Sequence, residues 1–185
     1  MTPKFYWLLS IILFCAYSLF LAFGAIEGFP EDFKENVNMP YLSDRPVGED
    51  GFYMLTVAWN IPLEKKICYN YGILTSGVQP LNTVALAVIA YYIQRAGFDK
   101  WDFIRAVILF EILNLLLFSL LIYRIALELI SENADKTYLK LYCASLTLLN
   151  FTLFKLFTYG LETGLYLNLF ALVVLFSLGY SIFDV

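Results

Sequence analysis

The chain is organised as long uncharged runs separated by short polar stretches. The first run extends without a charge from Phe5 to Ile26. At the α-helical rise it is about 33 Å long, enough to span a bilayer. It reads as an uncleaved anchor, because a secretory signal carries a shorter apolar core and further runs follow. Span one is placed over 5–24. Span two is expected over 79–92, with Pro80 in its first turn, where a missing N–H costs nothing. The polar turn "QRAGFDKWD" follows, then span three over 103–125, interrupted by Glu111 and Asn114. "ELISENADK" reads as a helix end and turn. Span four begins near Tyr138, but its uncharged part covers only 141–154, about 21 Å, too short to cross alone. Either Lys155 snorkels or lies within the bilayer, or this segment is broken or partly re-entrant. Span five covers 163–183. The expected fold is therefore all-α: an integral membrane helix bundle of about five spans, forming one transmembrane domain over 1–185.

Between spans one and two lies a loop of about fifty residues, 25–77. It holds Pro30, Pro40, Pro46 and Pro62, several glycines, and the acids Glu27, Glu31, Asp32, Glu35, Asp44, Glu49, Asp50 and Glu64. Loops this long are functional or disordered, and the many aromatics here argue for order. In "EDGFYMLTVAWNI", Phe52, Leu55 and Trp59 recur at helical spacing. A short helix lying at the lipid–water interface is expected there, with Glu49-Asp50 at its N-terminus, where the helix dipole favours acids. Basic residues divide five against seven between the alternate sides, so charge does not set orientation. The compact "RAGFDKWDFIR" turn reads as cytoplasmic, which puts the long loop outside.

Composition narrows the chemistry. The chain is 61% hydrophobic, above the level of soluble domains. There are 12 basic and 16 acidic residues, and no basic patch points to nucleic acid. Histidine is absent, removing the usual general base and zinc ligand. Cys15, Cys68 and Cys143 show no CxxC spacing, so neither a redox motif nor a disulfide framework is indicated. Carboxylates are left as the available bases. Glu49 and Asp50 at a membrane boundary could act as base or hold a divalent cation through oxygen. Glu111 and Asn114, three residues apart on one helical face, read as polar contacts between helices.

Three motifs occur in order: "EDGFYMLTVAWNI" after the first span, "TSGVQPLN" leading into the second, and "YGLETGLY" leading into the last. Together they resemble the N-terminal part of the GT-C superfamily of polytopic glycosyltransferases, over nearly the whole chain. The resemblance implies a sugar donor carried on a polyprenyl phosphate, an extracytoplasmic acceptor and an acid in the first external loop. That acid corresponds to Glu49 or Asp50, as base or as an aid in positioning a metal and the donor phosphate, with Glu162 as the second candidate. Tyr53, Asn60, Thr75, Gly77 and Gln79 become candidates for substrate binding, and Asp50 the candidate ligand of a divalent cation, Mg or Mn. Two positions depart from the family pattern: Glu49 stands where the family has Asp, and Gln79 where it has His. Family members are longer, so the chain is expected to correspond to a front part that a C-terminal half or a further membrane subunit would complete. The expected location is the plasma (inner) membrane, multi-pass, with the first loop outside. The alternative from the same residues is a non-catalytic subunit or scaffold packed against a larger membrane partner.

Overall fold

The computed structural model describes residues 3–23, 47–69, 74–75, 78–130, 137–160 and 162–183. Among these residues the fold is all-helical, with seven helices. They are α1 (Pro3–Phe23), α2 (Glu49–Glu64), α3 (Pro80–Arg95), α4 (Lys100–Leu129), α5 (Thr137–Leu149), α6 (Phe151–Thr158) and α7 (Thr163–Phe183). The chain divides into two compact units. One contains α2, α3, α4 as far as Glu111, and the turn over 158–162. The other contains α1 as far as Leu19, α4 from Ile112, α5, α6 as far as Phe157, and α7.

In the first unit α2 is the core. Leu55, Val57 and Ala58 have no exposed surface, and Phe52, Met54, Trp59 and Asn60 are buried with them. A helix apolar or small on every side has no wet face to present. The expectation of a helix resting at the interface is corrected accordingly: α2 occupies the expected residues but is packed inside the unit. Its neighbour is α3, whose buried stripe is Asn82, Thr83, Leu86, Ala87 and Ala90. The two helices run in the same sense. Thr83 donates to the Met54 sulfur at 3.8 Å. Further along, Gln94 Nε2 donates to the Trp59 carbonyl at 2.8 Å. The Trp59 ring also meets Phe103 of α4, 5.4 Å between centroids.

Helix boundaries follow local chemistry. Pro80 occupies the first turn of α3. Gly97, at φ 79°, ends that helix, and Phe98 N–H returns to the Ile93 carbonyl at 3.1 Å. This is the glycine stop of a helix C-terminus. Asp99 then starts α4: its Oδ1 accepts the Asp102 N–H at 3.0 Å. α2 ends at Lys65, in the left-handed region at φ 53°.

In the second unit, α5 and α6 are bent by 54° at Asn150. Asn150 Oδ1 accepts the Leu153 N–H at 3.0 Å and caps α6, which restarts the helix in a new direction. The short fourth segment is thus broken, one of the two outcomes expected of it, and Lys155 on α6 is exposed. Asn168 Nδ2 donates to the Asn114 carbonyl at 2.9 Å, an interhelical polar contact of the kind Asn114 suggested. Ser119 Oγ donates to the Ala144 carbonyl at 3.0 Å. Phe154 packs against Phe14 and Tyr17, and Phe157 against Phe118.

Among the described residues α4 alone is long and apolar enough to cross a membrane, or two segments if bent α5–α6 is taken as one. The count of about five spans is corrected on this point. α3 has 16 residues, about 24 Å of helix, less than a bilayer core. α1 and α7 contribute shorter apolar lengths, Phe5–Phe20 and Thr163–Gly179. Their outward side chains, including Leu8, Ile12 and Phe20 on α1 and Phe170, Val173 and Phe176 on α7, are exposed and apolar. Faces of that kind mark lipid or partner contact.

Candidate functional site: a turn clamped between two helix starts

The three motifs meet in one place. Gly48, which precedes α2, donates its N–H to the Tyr159 carbonyl at 3.0 Å. Gly51, one turn into α2, lies against the same stretch. A β-carbon on Gly51 would stand 2.2 Å from the Tyr159 carbonyl oxygen and 3.1 Å from the Gly160 Cα. One on Gly48 would stand 2.0 Å from the Tyr159 ring. Two glycines three apart share a helix face, and here that face receives the 159–160 turn. Gly160 itself has φ 87°, a conformation that favours glycine.

The start of α3 holds the other side of the turn. Gln79 Oε1 accepts the Glu162 N–H at 3.0 Å. Asn82 Nδ2 donates to the Gly160 carbonyl at 3.4 Å. Tyr159 and Gly160 are therefore tied to α2 through Gly48 and Gly51, and Gly160 and Glu162 to α3 through Asn82 and Gln79. This arrangement answers why two acids precede a greasy helix. Glu49 and Asp50 lie between a glycine that faces the Tyr159 ring and one that meets the 159–160 backbone, at the head of a helix whose dipole suits them.

Each expected site residue has a definite place or falls outside the described part. Asp50 is exposed. The backbone of Glu49 opens α2, and its side chain lies outside the described residues, as does Gly77. The Tyr53 hydroxyl and the Thr75 hydroxyl are hydrogen-bonded to each other, and Tyr53 stacks on Tyr69 at 4.7 Å. Asn60 is buried and donates to the carbonyls of Cys68 and Tyr69 at 3.2 and 2.9 Å, fastening the chain beyond α2. Glu162 is half-buried: its backbone is held by Gln79, and its Oε2 is buried without a donor among the described groups. Asn82 is the residue the sequence reading passed over. Its only signal was an amide in the first turn of an otherwise apolar helix.

Two geometrical consequences follow. Gln79 and Glu162 touch, so both lie on one side of any membrane the helices cross. Five strictly alternating crossings would separate them. The broken α5–α6 segment removes that conflict if it returns to the side it came from. For a divalent cation, six or more oxygen ligands are the norm. Among the described residues no three carboxylate, thiol or imidazole groups are arranged to hold one.

The second unit has its own cavity, an apolar groove of about 750 Å³ between α1 and α5. Leu9, Leu13, Leu146 and Leu149 line its length, with Tyr6 and Tyr138 also on its wall. Its two serines, Ser10 and Ser145, turn their hydroxyls back to their own helices at Tyr6 and Leu141.

No family model, curated protein or solved structure matches this chain. The chemistry of the site is therefore read from its own residues.

Proposed function

We propose that the chain is a membrane glycosyltransferase-like protein of the GT-C type, or the front part of one, using a sugar carried on a polyprenyl phosphate. One observation supports this most. Segments near positions 50, 80 and 160, each chosen for its residues, are packed into a single turn-centred site. That site carries Asp50, the backbone of Glu49, and Glu162. In the proposed reaction an acceptor hydroxyl attacks the anomeric carbon and the bond from that carbon to the phosphate oxygen breaks. The hydroxyl proton passes to a carboxylate at 49 or 50, and polyprenyl phosphate leaves. A positioned carboxylate is a competent general base, and no histidine competes for the role. No step is routed through a metal. The site faces the extracytoplasmic side in this reading, with α5–α6 dipping into the lipid and returning.

The test is transfer of radiolabelled sugar from a polyprenyl-phosphate donor in membranes holding wild-type chain, E49Q or D50N. Loss of a general base lowers the rate by roughly 100-fold or more. Unchanged transfer in both folded variants removes the catalytic role.

A second reading, a non-catalytic subunit, draws on one feature. Leu81, Val84, Val88 and Tyr92 form an outward apolar stripe on α3. A larger membrane partner would cover it, and stoichiometric co-purification in mild detergent would favour that reading.

A further inference from the structure

We propose that Asn82 and Glu162 form an acceptor-only subsite that takes the hydroxyl donors of a sugar ring. The inference rests on the transferase reading and assigns one part of the substrate to one part of the site. Asn82 has no exposed surface. Its Nδ2 is directed at the Gly160 carbonyl, and its Oδ1 is buried with no donor among the described groups. Two residues beyond Gly160, Glu162 presents a second buried oxygen, Oε2, also with no described donor. Gln79 holds the Glu162 backbone, and the burial of Oε2 sets this carboxyl apart from a surface acid.

A buried acceptor left without a donor is costly, and interiors avoid it. A leucine at 82 would remove the orphaned acceptor, though it would also give up the bond to the Gly160 carbonyl. Two such acceptors on segments tied to one short turn are therefore the mark of a site whose donors arrive from outside. The chemistry selects among visitors. A phosphate brings only more acceptors and negative charge, and is repelled. A ring bearing hydroxyls supplies the missing donors. The sugar end of the donor is thereby assigned to the α3 start beside Gly160 and Glu162. The phosphate end is excluded from that subsite. Gly51, the residue after Asp50, abuts Gly160.

The test uses the purified full chain in detergent micelles. Saturation-transfer NMR is recorded with the methyl glycosides of glucose, galactose and mannose at millimolar concentration, and with inorganic phosphate as competitor. At least one glycoside gives a signal that phosphate does not displace. N82L and E162Q weaken its binding roughly tenfold, the loss of about one hydrogen bond. Ligand-free E162Q melts no lower than wild type, which a carboxylate oxygen serving a purely structural partner would not allow. Should N82L fail to fold, E162Q carries the test, since it keeps the size of the side chain. Absence of any glycoside signal from folded wild type overturns the assignment. So does binding unchanged in the folded variants, or displacement by phosphate. Glycoside binding that needs Asn82 in a chain without transfer activity keeps the subsite and removes the transferase. Transfer without such binding does the reverse.

Discussion

Gly51 and Gly160 meet backbone to backbone: a β-carbon built on Gly160 would stand 3.0 Å from the Gly51 Cα. The side chain at this contact is Val47, β-branched and stiff, so little there can yield. G51A must push the 159–160 turn away and is expected to destabilise by about 1–3 kcal/mol, the usual cost of overpacking. G160A adds the strain of a left-handed φ of 87° and is expected to cost at least as much. Thermal unfolding in detergent, followed by circular dichroism, measures both. Transfer activity is expected to fall with them, because the displaced turn carries Glu162.

Gln79 acts through its carbonyl oxygen. Q79L leaves the Glu162 N–H without its acceptor and is expected to lose about 1–2 kcal/mol. Q79E keeps an oxygen at the same reach but sets a second carboxylate beside Glu162, so it is expected to recover stability only at a pH low enough to protonate one of the two. Equal melting temperatures for Q79L and wild type would show the bond to be dispensable.

The ends of α2 and α4 make opposite predictions. D99A removes the cap that accepts the Asp102 N–H and is expected to cost about 1 kcal/mol, with D99N largely restoring it. K65G relieves a left-handed φ of 53° on a residue with a β-carbon and is expected to gain about 0.5–1 kcal/mol. Denaturant or thermal titration of the two variants side by side checks the signs.

Sidedness is directly testable. Lys66 is exposed whereas Cys68 is buried, so position 66 is the better reporter of the first loop. In a background lacking Cys15, Cys68 and Cys143, K66C and E162C are expected to react with an impermeant maleimide from the same side. Labelling from opposite sides is incompatible with the Gln79–Glu162 contact.

Much of the helical plan was legible in local chemistry. Pro80 marked the start of α3, "AGFD" its end and the next beginning, and the charge at Lys155 the weakness of the fourth segment. What stayed hidden has physical reasons. The stretch from Phe52 to Asn60 is apolar enough for either an interface or an interior, and periodicity cannot separate them. The meeting of Gly51 with Gly160 joins residues more than a hundred positions apart, and a glycine chosen for close approach looks like any other glycine. Asn82 looked like an incidental polar residue because its partner, the Gly160 carbonyl, lies 78 positions along the chain. The span count overshot because an uncharged run records hydrophobicity and not direction.

A straight helix from Thr137 to Thr158 would reach about 33 Å, long enough to traverse a bilayer. Asn150 breaks it. In the re-entrant arrangement proposed above, a leucine at that single position would let the segment run through, and Glu162 would then emerge in the opposite compartment. In that arrangement one side-chain amide sets the parity of the chain.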